Sequence, residues 1–215
     1  MGGWATLAQV LSLLLLLALV HRPLGDYMAR LYSSDQHLRI ERGFYRLIGV
    51  DGSAGQAWQS YLRGVLAFSG ASMLLLYVLQ RVQTLLPGSL GLPAVPEALS
   101  FNTAASFVAN TNWQSYSPET TMGYAVQMTG LAVQNFLSAA VGLAVAVALI
   151  RGLAGRNCAT IGNFWVDLTR GVLRLLLPGA FLAAIVLMVG GVIQNFNGFS
   201  SVTTLLGGTA TIPGG

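Results

Sequence analysis

Long stretches without a charged residue constrain this sequence more than any other feature. Four are evident: residues 1–21, residues 64–80, residues 120–150 and everything after Arg174. A helix needs about 20 mainly apolar residues to cross the hydrocarbon of a bilayer. The pattern therefore predicts four membrane-spanning helices, near residues 2–21, 60–80, 124–150 and 171–194.

Composition supports an all-α membrane protein. Only 8% of the residues are charged and 54% are hydrophobic, whereas about 25% are charged in a typical soluble domain. A net charge of +4 carried by so few ionised groups does not suggest a nucleic-acid partner. The single cysteine, Cys158, can form neither an intrachain disulfide nor a metal cluster, so it is interpreted as an inert free thiol.

The first apolar stretch has two possible roles, a cleaved signal peptide or a retained helix. A signal peptide has a basic segment before its apolar core and a cleavage site with small residues after it. Here Arg22 follows the apolar run instead of preceding it, and no such cleavage site is visible. These features favour a retained membrane helix.

The arginines are distributed unevenly between the predicted connections. Ten of the 11 lie in or beside the first and third connections: Arg22, Arg30, Arg39, Arg42, Arg46, Arg63, Arg151, Arg156, Arg170 and Arg174. Cytoplasmic loops carry an excess of Lys and Arg, so residues 23–59 and 151–170 are predicted to be cytoplasmic loops and the N-terminus to lie outside. His37, in the first loop, is expected to face solvent and not to bind a metal.

The connection between the second and third spans is not an ordinary loop. Its first part holds Pro87, Pro93 and Pro96, which exclude a continuous helix. Residues 97–109 contain no Gly or Pro and carry an acid in the first turn, which predicts a helix too short to cross a bilayer. Non-helical backbone at membrane depth occurs only inside protein or beside a water-filled cavity. We therefore expect a re-entrant helix, with the polar segment "NTNWQSYS" at 110–117 lining a pore.

Such a polar segment suits a monovalent cation. The C-terminus of the short helix directs the negative end of its dipole towards the segment. Backbone carbonyls and neutral side-chain oxygens can replace the hydration shell of an alkali ion, whereas carboxylates favour divalent ions. The alternative is an external loop built from Asx and Ser turns, and composition alone leaves both interpretations open.

Several segments resemble one known family. Residues 101–152, from "FNTAASFVANTNWQSYSPETTMGYAVQ" to "ALIRG", resemble the first pore-loop region of the potassium-binding subunit of the Kdp potassium-transporting ATPase, a bacterial membrane complex. The segments "RPLGDYMARLY", "ERGFYRLIGVD" and "GNFWVDLTR" resemble the same subunit. The family pattern predicts a small residue at position 118, and Pro118 departs from it. The chain ends before a second filter, so we expect an N-terminal part of a longer protein.

The resemblance implies a channel-like fold of the potassium-transporter superfamily, in which four helix–pore loop–helix units surround one ion path. An additional helix precedes the first unit. The implied divisions are the extra helix 1–22, the first unit 60–150 with pore helix 97–109 and filter 110–117, and residues 171–215 as the first helix of the second unit and the start of an external loop.

The resemblance also implies a function. K⁺ would bind in the filter through Asn110, Thr111, Asn112 and Gln114, and would pass to a P-type ATPase catalytic subunit in the bacterial plasma membrane, in a complex with small accessory subunits. The chain has neither a GxxxxGK[ST] loop nor a DKTG motif, so it is expected to be non-catalytic. An autonomous cation channel or ion-coupled transporter would share the pore loop, and a membrane assembly protein is a more distant third interpretation.

Two amides of the third span are further candidates. Gln134 and Asn135 lie within the uncharged stretch 120–150. Amides at membrane depth either join helices by hydrogen bonds or line a transport path. We favour the helix contact and keep the pore-facing role as the alternative.

Overall fold

Helices dominate the computed structural model, which describes residues 3–155, 159–193, 195, 197, 198 and 200–212. Cys158 and the interpretation of its thiol lie outside the described residues. The helices are α1 (Gly3–Ser33), α2 (Arg39–Leu47), α3 (Trp58–Arg81), α4 (Glu97–Val108), α5 (Pro118–Thr121), α6 (Val133–Ala154), α7 (Phe164–Arg170) and α8 (Leu177–Val189). A 3-10 turn covers Gln83–Leu85, and π-helical turns at Val126–Ala132 and Gly171–Leu176 lead into α6 and α8.

The predicted fold class, an all-α membrane protein with four spanning helices, is confirmed. By length and composition, four continuous helical segments could cross a membrane: Gly3–Ser33, Trp58–Arg81, Val126–Ala154 and Phe164–Val189. The described residues of α8 include none that is buried. Exposed apolar surface on this scale requires lipid or further helices around it.

Two spans are longer than the uncharged stretches that predicted them. α1 continues to Ser33 through Pro23 and past the predicted boundary at residue 22, because a charged residue ends an apolar run without ending a helix. The fourth span begins at Phe164, before residue 171, because Asn163 caps it. The Asn163 side chain accepts a hydrogen bond from the Trp165 N–H at 3.1 Å, which satisfies a donor that the first turn leaves free.

A short β-hairpin near the end of the described chain was not predicted. Strands β1 (Ser200–Thr203) and β2 (Thr209–Ile212) pair antiparallel, with Ser200 opposite Ile212 and Thr203 opposite Thr209. Both strands contain β-branched residues, which favour extended backbone. The hairpin follows the fourth span, where residues 171–215 were predicted to end in an external loop.

Pro178 deprives the fourth span of one helical hydrogen bond. In an α-helix the N–H of residue 178 would bond to the carbonyl of residue 174, and proline has no N–H. The Tyr27 hydroxyl of α1 donates to the Arg174 carbonyl at 2.6 Å, and the helix is π-helical at Gly171–Leu176. A residue of the first span therefore supplies the hydrogen bond that the proline cannot.

The described residues contain two apolar cores, both involving the third span. The core around α4 consists of Leu76, Val95, Ala104, Phe107, Met122, Val126 and Leu131. The core around α7 consists of Tyr61, Ala140, Ala144, Ala148, Phe164 and Leu168. The three alanines recur every fourth residue and so share one face of α6, where small side chains allow close helix packing in a membrane.

A buried carboxylate joins the third and fourth spans. Asp167 is 1% exposed and accepts hydrogen bonds from Arg151 Nη1 at 2.6 Å and Nη2 at 3.0 Å. The Tyr61 hydroxyl of α3 donates to the same carboxylate at 3.1 Å. Gly162 permits the arginine to approach, because a Cβ at this position would lie 2.0 Å from Arg151 Nη1.

A second buried carboxylate joins the first connection to the fourth span. Glu41 is fully buried, forms an ion pair with Arg174 and accepts the Leu38 N–H at 2.8 Å. Burial alone would raise the pKa of Glu41, but the hydrogen bonds from Arg174 and Leu38 and the nearby positive charge hold this pKa below its usual value. The carboxylate is therefore ionised at neutral pH.

Candidate functional site

The short helix α4 lies where the sequence predicted it, one residue shorter than the predicted range 97–109. Arg81, at the end of α3, fixes the start of α4. It donates a hydrogen bond to the Val95 carbonyl at 2.5 Å and forms an ion pair with Glu97 at 3.4 Å. Its side chains pack into the first of the two cores. That this helix re-enters a bilayer stays a prediction.

α4 ends in a Schellman motif, a cap that closes a helix with one left-handed residue. Asn110 is that residue, with φ of 55°. Its N–H donates to the Phe107 carbonyl at 3.2 Å, and the Thr111 N–H donates to the Ser106 carbonyl at 3.0 Å. Asparagine tolerates this conformation better than most residues, which explains the change from helix to polar segment at residue 110.

A second left-handed residue follows that the cap does not require. Asn112 has φ of 53°, and its N–H also points at the Ser106 carbonyl, at 3.4 Å. Alternating backbone handedness brings successive N–H groups to one side of the chain. Here the Thr111 and Asn112 N–H groups converge on one carbonyl oxygen.

These bonds determine where the carbonyls of the segment point. In a trans peptide the C=O points opposite to the N–H of the same plane, and the described residues contain no cis peptide. The Asn110 and Thr111 carbonyls therefore both point away from α4. Neither accepts a hydrogen bond from another described residue, and both residues are exposed. Two adjacent carbonyl oxygens are thus free on the same side of the segment.

Ser106 holds the segment against α4. Its side chain is 1% exposed, and its hydroxyl donates to the Trp113 carbonyl at 3.0 Å. The Thr111 hydroxyl donates back to the Ser106 carbonyl at 3.1 Å. Because these contacts fix both ends of the turn, the free carbonyls between them have little freedom to rotate.

Asn110 ties the segment to the third span. Its Oδ1 accepts a hydrogen bond from the Ser138 hydroxyl of α6 at 3.3 Å and lies 3.5 Å from the Asn112 amide nitrogen. Ser138 is buried. The Asn110 side chain therefore positions the backbone, and the free main-chain oxygens at Asn110 and Thr111 are the groups available to a ligand.

Gln114 lies in the second half of the segment, near Tyr116. Burial raises the pKa of the Tyr116 hydroxyl, and the neighbouring Thr103 and Gln114 side chains oppose that rise. The hydroxyl makes no hydrogen bond of standard geometry with them, so they are neighbours of Tyr116 and not its hydrogen-bond partners. The predicted contact of Gln114 with K⁺ stays a prediction.

The structure brings the Asn135 backbone near the segment, because the Ser138 hydroxyl that donates to Asn110 Oδ1 also lies 3.3 Å from the Asn135 carbonyl oxygen. Gln134 is buried and borders a cavity of about 30 Å³ with Ser72 and Leu76 of α3. Asn135 is exposed and lines a groove with Leu175 and other residues of the fourth span. Neither side chain forms a hydrogen bond with the described residues 110–114, and a pore-facing role for either stays a prediction.

Gln83 fixes the chain before and after the segment, and the sequence analysis did not single it out. The side chain is fully buried. Its amide nitrogen donates to the Pro93 carbonyl and, at 3.0 Å, to the Thr121 carbonyl. Its amide oxygen accepts the Gly123 N–H at 3.2 Å. One side chain thus links the proline-rich loop to the chain that leaves the segment.

Pro118, the departure from the family pattern, begins α5. Proline suits a first helical position because its missing N–H has no helical partner there and its φ is already helical. The Met122 N–H closes this turn on the Pro118 carbonyl at 3.0 Å. The proline therefore starts a tight turn that returns the chain from the segment to the core.

Ser106 and Ser138 were also missed by sequence reasoning. A usable signal existed for the first: Ser100, Thr103 and Ser106 recur every third residue on α4, and all three are buried. Such spacing places a polar stripe on one helix face. Ser138 has no comparable local signal, because its role depends on a contact with a residue far away in sequence.

Nearly the whole chain is similar to one family of proteins. Residues 11–215 match the family model of the potassium-transporting ATPase A subunit, KdpA. Similar curated proteins bear the name potassium-transporting ATPase potassium-binding subunit. That of Clavibacter sepedonicus is 65% identical over 215 residues, 100% of this chain. That of Kineococcus radiotolerans is 58% identical over 211 residues, or 98%, and that of Mycobacterium avium is 60% identical over 202 residues, or 93%.

The chain is much shorter than these relatives. It spans 38% of the length of the Clavibacter sepedonicus and Kineococcus radiotolerans proteins and 36% of the Mycobacterium avium protein. The similarity therefore covers one part of the longer relatives, and the segment at 110–117 lies within it.

Proposed function

Because the chain belongs to the potassium-transporting ATPase A subunit family, we propose that it forms the N-terminal part of a potassium-binding, channel-like subunit. That subunit takes up K⁺ from the outer side for an ATP-driven uptake complex. The name shared by the relatives supports this function over an autonomous channel or an ion-coupled transporter.

The observation that carries the proposal is the pair of free, parallel carbonyls at Asn110 and Thr111. Carbonyl oxygens replace the hydration shell of K⁺ in selective filters, and the C-terminal end of α4 adds the negative end of a helix dipole. Asn112 and the Gln114 amide extend the proposed site outwards. The proposed ligands are neutral, so the ion can leave as well as enter.

One segment cannot surround an ion. We propose that three further segments, from the part of the relatives that this chain does not cover, complete the filter. The neighbouring spans would then pack their exposed apolar surfaces against those further helices and against membrane lipid. K⁺ is the transported ion here and not a resident cofactor.

The proposed complex divides transport from catalysis. ATP hydrolysis belongs to a P-type ATPase catalytic subunit, and small accessory subunits complete the assembly in the bacterial plasma membrane. The present chain contributes ion binding and no catalytic residue. Its N-terminus lies outside, since the arginine-rich connections face the cytoplasm.

The backbone conformation at Asn112 provides the test of the filter. In a full-length complex, we expect Asn112→Val to weaken the apparent potassium affinity of the ATPase at least about tenfold, because a β-branched residue resists a left-handed conformation. Asn112→Gly is the matched variant: glycine adopts that conformation freely and should stay within about threefold of wild type. The measurement is potassium-stimulated ATPase activity, repeated with rubidium.

The two variants separate the backbone from the side chain. Equal losses in Asn112→Gly and Asn112→Val would make the amide side chain the important group. Unchanged affinity and unchanged cation preference in both, in a correctly assembled complex, would remove this segment from the ion site.

The proposed orientation has its own test. In a cysteine-free full-length subunit, a membrane-impermeant maleimide should label Thr84→Cys in intact cells, because residue 84 is exposed in the connection assigned to the outside. Ser53→Cys, exposed in the first connection, should react only after the membrane is opened. The reverse labelling pattern would place the N-terminus in the cytoplasm.

A further inference from the structure

A polar cavity of about 300 Å³ lies where the first, third and fourth spans meet the connections, away from the segment after α4. Its lining includes Tyr32, Ser34, His37, Gly52, Asn163 and Arg170. The ends of several elements therefore converge on this cavity, and nothing in the proposed potassium site uses it.

Three buried polar atoms of this lining have no hydrogen-bond partner: Arg170 Nε, the Tyr32 hydroxyl and His37 Nδ1. The Arg170 side chain is 3% exposed and Tyr32 is 7% exposed. The first two atoms are donors, and His37 Nδ1 is a donor in the tautomer that protonates it. Buried donors without acceptors are destabilising, so the cavity favours a guest that brings acceptor atoms.

Two arginines and two aspartates line the cavity, Arg151, Arg170, Asp35 and Asp167, but they are not all paired. Arg151 pairs with Asp167 and Arg174 pairs with Glu41, whereas Arg170 forms no ion pair with any described residue. Arg170 Nη2 donates to the Ser34 carbonyl at 2.6 Å, beyond the end of α1, whose dipole offsets about half a charge. Water could satisfy the free donors, whereas an anion would also pair with the buried Arg170, which the exposed Asp35 does not do.

An apolar groove of about 370 Å³ adjoins the cavity. It is lined by Gly25, Met28 and Ala29 of α1 and by Val147 and Ile150 of α6. Tyr32, Ser33 and Arg151 line both the groove and the cavity. The two spaces therefore adjoin at these three residues, with the polar cavity on one side and the apolar groove along two membrane-spanning helices on the other.

The junction lies at the expected level of the lipid headgroups. Arg151 is the first charged residue after the uncharged stretch 120–150, and Arg174 is the last before the uncharged remainder. The arginine distribution assigns this face to the cytoplasm, where the leaflet is rich in anionic lipid. A small soluble anion would fill the cavity but would leave the groove unused.

We propose that the cavity and groove bind one anionic phospholipid, with its phosphate beside Arg170 and an acyl chain along α1 and α6. His37 supplies a further donor to the phosphate oxygens in the tautomer that protonates its Nδ1, and Tyr32 forms part of the cavity wall. Asp35 lines the cavity and is exposed, and its charge opposes the phosphate. The bound lipid joins three spans at the face where the connections leave the membrane.

The test uses a delipidated full-length complex and native mass spectrometry, with phosphatidylglycerol or phosphatidylcholine added at increasing concentration. Arg170→Gln should weaken phosphatidylglycerol binding at least about tenfold, since charge-assisted hydrogen bonds to the phosphate are lost. Ala29→Leu narrows the groove without changing any charge and should weaken phosphatidylglycerol binding several-fold. Arg39→Gln, an exposed arginine outside the cavity, is the control and should bind as wild type.

Competition identifies the source of the phosphate. Glycerol phosphate should displace phosphatidylglycerol only in large excess, because it lacks the acyl chain. Displacement at equal concentration, with Ala29→Leu binding as wild type, would show a soluble-anion site and overturn the lipid assignment. Wild-type binding in both Arg170→Gln and Ala29→Leu, or no bound lipid in the wild-type complex, would overturn the proposal. If Arg170→Gln fails to assemble, Ala29→Leu alone decides between these outcomes.

Discussion

Asp167→Ala is expected to destabilise the protein by about 3 kcal/mol or more, since removing one partner of a buried ion pair leaves the other charge uncompensated. Arg151 would lose both of its carboxylate hydrogen bonds, and the Tyr61 hydroxyl would lose one of the two acceptors that share its proton. The measurement is a denaturant titration of the purified full-length complex in detergent, together with the yield of assembled complex. Most of the variant should fail to assemble.

A double variant distinguishes the effect of breaking the ion pair from the effect of losing side-chain packing. Arg151→Met with Asp167→Leu removes both charges and keeps apolar volume, so it should recover much of the lost stability. Glu97→Gln is the control at an exposed ion pair, 3.4 Å from Arg81, and should cost at most about 0.5 kcal/mol. A double variant less stable than Asp167→Ala alone would contradict this account.

Gly123→Ala is expected to displace the chain that leaves the candidate filter. A Cβ at residue 123 would lie 2.5 Å from the Gly88 carbonyl oxygen and 2.6 Å from the Ser89 Cα. Both are backbone atoms, which cannot rotate away as a side chain can, and overpacking of this kind costs about 1–3 kcal/mol. The shift should also break the bond between Gln83 and the Gly123 N–H, and should lower potassium affinity in addition to stability.

Gly142→Ala, in the third span that follows Gly123, is the control. A Cβ at residue 142 would meet nothing within 4 Å, and alanine stabilises a helix interior more than glycine does. We expect unchanged or slightly higher stability, and unchanged potassium-stimulated ATPase activity. If Gly123→Ala behaves like Gly142→Ala in both measurements, the close approach at Gly88 does not constrain the filter region.

The spans could be predicted because hydrocarbon imposes one strong requirement, a long run of apolar residues. Their ends could not be predicted the same way. Charge on Arg22 and Arg30 indicated a loop, yet the backbone of α1 continues through both. For the fourth span a local signal existed: Asn163 precedes the helix and Asp167 lies in its first turn, a pattern typical of a helix start.

The candidate site was partly accessible from sequence. The short helix and the polar segment after it follow from the placement of proline and from local composition. The direction of the carbonyls does not, because it depends on two N–H groups converging on Ser106. Gln83 and Ser138 were missed for the same reason: each contacts residues far away in sequence, which only the folded chain brings together.

The bond between Tyr27 and the Arg174 carbonyl also has a consequence for biosynthesis. The two residues are 147 positions apart, and at about 5–20 residues per second a ribosome needs about 7–30 s to make that length of chain. During this time the first span must wait in the membrane without its partner. Two nearby contacts also form late, because the Tyr32 carbonyl accepts a hydrogen bond from Arg151 and the Ser34 carbonyl accepts one from Arg170. We therefore expect α1 to dock only after the third and fourth spans have been synthesised.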